Sequence, residues 1–94
     1  MPSNSERTGK QNRRTEQRFQ LGGVLLFSFE DPVHREVQAE LVDYSKSGFR
    51  AVHGYPALST GQVVRYQRLV AGGQAQVVWN RIVGDKVETG FVVL

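Results

Sequence analysis

Two polar clusters carry residue types that could do chemistry together. One is Asp43-Tyr44-Ser45-Lys46-Ser47-Gly48, wedged between two β-type runs. The other is Arg13-Arg14-Thr15-Glu16-Gln17-Arg18, which precedes the first apolar run. Arginine has a planar fork that pairs bidentately with phosphate, stacks on aromatic planes and donates two hydrogen bonds to guanine O6 and N7. The Asp43 carboxylate offers the complement, accepting from guanine N1–H and the exocyclic amine, and the Ser45 hydroxyl can both donate and accept. Gly48 permits a positive φ or a close backbone approach that most residues resist. If the clusters meet in space, they can hold one anionic, guanine-bearing ligand. The plainer reading of either cluster alone is a solvated basic tail beside an ordinary β-turn.

Other chemistries find less support. Metal binding needs clustered ligands, whereas His34 and His53 stand alone and the chain has no cysteine. Both histidines are expected to be solvated, as isolated histidines near strand ends usually are. Asp43, Ser45 and His53 suggest a hydrolytic triad, but all three lie on one hairpin and no Gly-x-Ser-x-Gly elbow is present. Gly72-Gly73 is followed by Gln74, not by the Gly-Lys-Ser/Thr of a phosphate-cradling loop. The expectation is therefore a binding protein without catalytic residues, metal or cofactor.

Net charge locates the anionic partner more closely than it identifies it. Residues 1–18 carry Arg7, Lys10, Arg13, Arg14 and Arg18 against Glu6 and Glu16, which holds the whole net charge of +3. From residue 19 onward basic and acidic residues balance. A basic arm on a neutral body suits nucleic acid, phospholipid or a phosphorylated small molecule. No run approaches the roughly 20 apolar residues that span a bilayer, and the first eighteen residues lack an apolar signal core. Absence of cysteine fits a reducing cytosol, so a cytoplasmic location is expected.

The elements that must position these clusters are short strands. Residues 1–12 are polar and without apolar periodicity, which predicts a disordered tail. The folded domain is expected over residues 13–94, long enough for one modest core. Val24-Leu25-Leu26-Phe27-Ser28-Phe29 reads as a first strand entered through Gly22-Gly23. Residues 35–42 alternate, with Val37, Ala39 and Leu41 apolar, as in a strand with one wet face. Further strands are predicted over 49–53, 63–69, 74–82 and 87–94, with a loop over 54–62 and turns at Gly72-Gly73 and Gly84-Asp85-Lys86. Six strands and no amphipathic helix predict an all-β, six-stranded antiparallel barrel, whose closure removes exposed edges.

Taken together, the clusters resemble a known family. Arg14-Thr15-Glu16-Gln17-Arg18 matches the RxxxR motif of PilZ domains, and Asp43-Tyr44-Ser45-Lys46-Ser47-Gly48 matches their D/NxSxxG motif. Further similar features are a Leu-x-x-Gly step at Leu58 to Gly61, a Val-x-Trp step at Val77 to Trp79, and Thr89-Gly90-Phe91-Val92-Val93 at the last strand. The resemblance covers roughly residues 13–94 and implies a bacterial receptor for the second messenger cyclic di-GMP. It implies that Arg14 and Arg18 grip phosphate and guanine, that Asp43 and Ser45 bind guanine or its phosphate, and that Gly48 shapes the turn. Arg13 is an additional candidate, since an extra arginine here can favour a stacked pair of ligand molecules. The family commonly ends in a helix, which this sequence supplies little or none of.

The motif reading carries a structural demand and a mechanism. Strict alternation puts Asp43 and Ser45 on the same side as Val37, Ala39 and Leu41, so a β-bulge or a strand end is expected near Val42. The expected mechanism is an arm, mobile through Arg18, that folds over the ligand and offers a new surface to a downstream protein. Two alternatives remain: a basic-armed barrel binding single-stranded nucleic acid on exposed aromatics drawn from Phe27, Phe29, Tyr66 and Trp79, or an interaction module that no longer binds ligand.

Overall fold

A computed structural model describes residues 23–69 and 71–94. The predicted tail and the arm with Arg13, Arg14 and Arg18 lie outside the described residues. Six strands follow one another: β1 Val24–Glu30, β2 His34–Tyr44, β3 Gly48–His53, β4 Val63–Arg68, β5 Ala71–Val83 and β6 Lys86–Val93. All pairings are antiparallel, and the order β1-β2-β3-β6-β5-β4 closes into a barrel, as expected. No helix occurs among the described residues, and none is long and apolar enough to cross a membrane.

Side-chain alternation builds the core. In β1 the apolar run divides by period, with Leu25, Phe27 and Phe29 inward and Val24, Leu26 and Ser28 outward. Ala39 and Leu41 of β2 point inward with Phe49 and Ala51 of β3, Val64 of β4, Ala75 and Val77 of β5, and Phe91 of β6. Phe49 stacks on Phe91 with ring centres 4.7 Å apart, and Phe27 approaches the same ring at 5.5 Å. Burying one such ring contributes about 1.5–3 kcal/mol, so this cluster carries much of a small domain's stability. Closure is weakest between β1 and β4, which pair only through Leu26↔Gln67, Phe27↔Tyr66 and Ser28↔Arg65.

The Gly72-Gly73 turn is corrected. Both glycines lie inside β5, opposite Gln67 and Tyr66, and the chain instead reverses between Arg68 and Ala71. Gly72 makes room: a Cβ there would come within 3.1 Å of the Tyr66 carbonyl oxygen, whereas a Cβ on Gly73 would stand at an ordinary contact distance of 3.7 Å from the Tyr66 ring. By contrast, Gly84 does form a turn. It adopts a φ of 65° between the paired Val83 and Lys86, as two-residue hairpin turns require.

The solvated His53 is corrected as well. At the end of β3 it shares the inward face of Phe49 and Ala51, and only 2% of it is exposed. Its polar atoms are satisfied in a chain. The Tyr55 amide donates to Nδ1 at 3.1 Å, which leaves Nε2–H to donate to Thr89 Oγ1 at 2.7 Å. Thr89 donates to Asn80 Oδ1 at 2.6 Å, and Asn80 Nδ2 donates to the Leu58 carbonyl at 2.9 Å. Burial holds the imidazole pKa below its ordinary value, which favours the neutral ring. His34 is exposed and pairs with Glu30 at 3.0 Å.

Candidate functional site

The conflict at Val42 is resolved by a bulge. Leu41 pairs with Ala51 and the next partners are Asp43 and Arg50, so Val42 is an extra residue on β2. The insertion reverses the sidedness of everything after it. Leu41 faces inward with Ala51, whereas Asp43 faces outward with Arg50, and Tyr44 returns inward against the core. The turn shortens accordingly, because Asp43 and Tyr44 complete β2 and only residues 45–47 connect it to β3.

Within that turn the Ser45 amide donates to the Gly48 carbonyl at 2.7 Å, and the Ser45 hydroxyl reaches the same oxygen at 3.4 Å. The Val93 amide donates to the Ser47 carbonyl at 2.8 Å, tying the turn to the end of β6. Gly48 serves by close approach: a Cβ there would sit 2.5 Å from the backbone oxygen of Phe91. Its φ is not among the positive values. Asp43, Ser45 and Gly48 are thus brought together at one end of the β2–β3 hairpin.

A second bulge lies in β5, where Val77 pairs with Phe91 and Trp79 pairs with Gly90. It turns Trp79 outward as the first turns Asp43 outward. Direct cross-strand pairing then aligns Asp43, Arg50, Gly90 and Trp79 over β2, β3, β6 and β5 on the outer wall. Arg50 donates through Nε to Asp43 Oδ1 at 3.0 Å and through Nη2 to Asp43 Oδ2. Its Nη1 also reaches Glu88 Oε2 at 3.4 Å, while Arg81 donates through Nε to Glu88 Oε1 at 2.9 Å. The result is an alternating series Asp43–Arg50–Glu88–Arg81 with no net charge. The Asp43 hydrogen bond pushes the Arg50 guanidinium further above its ordinary range, and the Asp43 and Glu88 charges act in the same direction. Asp43 is 3% exposed, so a ligand reaches its carboxylate only when a covering group moves.

The start of β1 lies beside the bulge, since the Leu41 amide donates to the Gly23 carbonyl at 2.8 Å. Arg18 is five residues before Gly23, a stretch that spans at most about 18 Å. Arg13, Arg14 and Arg18 themselves lie outside the described residues. Of the four aromatics considered as stacking platforms, Phe27 and Phe29 are core residues, Tyr66 packs against the core, and Trp79 alone faces outward.

Sequence reasoning misses Arg50, Glu88 and Gly90. Arg50 and Glu88 stand 38 positions apart, and nothing in a linear pattern pairs them. Gly90 gives a faint signal, as a glycine inside an apolar strand marks close approach by another group. No group of three or more His, Cys, Asp or Glu poised for a metal occurs among the described residues. No family model matches the chain, and a search of curated proteins finds no match.

Proposed function

We propose that this barrel is a bacterial cyclic di-GMP receptor of PilZ type, acting in the cytoplasm as a signalling module without catalysis. Asp43 and Ser45 bind guanine or its phosphate, Gly48 shapes the turn beneath them, and Arg14 and Arg18, with Arg13, hold phosphate and the second guanine face. Ligand binding draws the arm against residues 43–48 and presents the combined surface to a downstream protein. The observation that carries this reading is the bulge at Val42, which takes Asp43 out of the core and aims it outward beside the strand that the arm enters.

Ordering the arm costs roughly 1–2 kcal/mol per backbone residue fixed. Charge-assisted contacts to two phosphates and two guanines are needed to offset it. A calorimetric titration with cyclic di-GMP tests the reading directly, and absence of heat and of any spectral change at millimolar ligand would end it. The nucleic-acid alternative gains nothing from Phe27 and Phe29, which are buried. It predicts tight binding of single-stranded RNA that weakens steeply between low and high salt.

A further inference from the structure

We propose that Arg68 is a further ligand-binding residue, a phosphate contact supplied by the barrel itself and not by the arm; the inference rests on the cyclic di-GMP reading. Along β4 alternate residues face inward: Val64 is buried, Tyr66 and Arg68 are half-buried, and Val63, Arg65 and Gln67 are exposed. Val64 and Tyr66 pack in or against the core. Arg68 continues their phase and so puts a guanidinium at the mouth of the barrel.

That mouth is the one beside residues 43–48. Pairing of β1 stops at Val24↔Glu40 on the β2 side and at Leu26↔Gln67 on the β4 side, so beyond these pairs β1 no longer bridges the ends of β2 and β4. Across the opening the Arg68 guanidinium carbon stands 4.1 Å from the centre of the Tyr44 ring. Tyr44 lies between Asp43 and Ser45. The Gly23 carbonyl is tied to the Leu41 amide close by, so the arm joins the barrel at the same mouth.

Arg68 is held but uncommitted. Arg35 donates to the Asp31 carbonyl, Arg50 to Asp43 and Glu88, and Arg81 to Glu88, while Arg65 faces Glu30 at 3.8 Å. Among the described residues, Arg68 is the one arginine with neither a carboxylate nor a carbonyl partner. Stacking on Tyr44 restrains the guanidinium plane and leaves its five N–H donors unspent. A half-buried cation without a counter-charge favours an anion beside it, and a planar fork with free donors suits the paired oxygens of a phosphodiester. Tyr44 has already restrained this side chain, so less ordering is required of it than of an arginine on the arm.

The test is calorimetric titration of the full chain with cyclic di-GMP, in wild type and three variants. Arg68→Gln should weaken binding by about tenfold, the worth of one charge-assisted hydrogen bond. Arg68→Lys keeps the charge without the fork and should lose less. Arg65→Gln removes an equal charge from the outer face of the same strand and should change affinity by less than about twofold. The loss in Arg68→Gln should also shrink as salt is raised, because attraction between charges is screened. Affinity within twofold of wild type in Arg68→Gln overturns the proposal. So does an equal loss in Arg65→Gln, which marks an effect of net charge, or an equal, salt-independent loss in Arg68→Gln and Arg68→Lys, which marks a stacking role. Should Arg68→Gln fail to fold by circular dichroism, Arg68→Met, which keeps an unbranched stem over Tyr44, is judged by the same criterion. A folded wild type that binds no cyclic di-GMP overturns the cyclic di-GMP reading and this inference with it.

Discussion

The indole of Trp79 occupies the space in which residue 90 would carry a side chain. A Cβ on Gly90 would lie 2.3 Å from indole Nε1 and Cε2, so only glycine leaves the ring its present place. Gly90→Ala should destabilise the barrel by about 1–3 kcal/mol, the usual range for overpacking. Urea unfolding followed by circular dichroism would measure it. The loss should largely vanish in a Trp79→Ala background, because the two positions share one volume. An equal loss in both backgrounds would refute the steric account.

Gly48 meets a less forgiving neighbour. The obstacle at 2.5 Å is the backbone oxygen of Phe91, which cannot swing aside as a side chain can. Gly48→Ala should therefore cost at least about 2 kcal/mol. Gly54 is the control, since a Cβ there would meet nothing within 4 Å and its φ is not positive. Gly54→Ala should be neutral or stabilising by up to about 1 kcal/mol, through a less flexible unfolded chain. Equal midpoints for the two variants in urea would contradict this contrast.

His53 makes stability depend on pH. Its folded pKa lies below the ordinary 6.5 because burial penalises the charged ring. The unfolded chain therefore takes up a proton more readily than the folded one. The contribution is complete above about pH 6.5 and is lost as pH falls below that value toward the folded pKa. Protonating Nδ1 would also remove the acceptor for the Tyr55 amide. Unfolding free energy measured at pH 7.5 and 5.5 should fall in wild type and fall less in His53→Gln. Parallel profiles for the two proteins would exclude His53 as the cause.

On the proposed function, Arg14→Ala and Arg18→Ala should each weaken cyclic di-GMP binding by at least about tenfold, since one bidentate arginine–guanine contact is worth about 1–3 kcal/mol. Unchanged calorimetric affinity in both variants would remove the arm from the site.

What is legible in the sequence follows the reach of local pattern. Val37, Ala39 and Leu41 announce β2 by period, and the clash between that period and a ligand-facing Asp43 is enough to expect the break at Val42. Gly72-Gly73 misleads because a glycine pair signals a turn wherever it stands. Only the pairing with β4 reveals that both lie within a strand, with Gly72 close against the Tyr66 carbonyl. His53 reads as solvated because nothing local shows that Thr89 and Asn80, on other strands, satisfy it. Arg50 and Glu88 escape notice for the same reason: their relation exists only once β3 and β6 lie side by side.

The bulges at Val42 and Val78 also act as phase shifts. Along β2 and β5, odd and even positions exchange inside for outside at one residue, while the intervening β3 and β6 keep a single phase throughout. Deleting Val42 would return Asp43 to the aromatic interior with every other residue unchanged, and deleting Val78 would do the same to Trp79. Whether the outer wall is chemically equipped thus depends on strand length as much as on side-chain identity. One-residue insertions and deletions in these two strands are the changes by which such a barrel could gain or lose a binding face while keeping its fold.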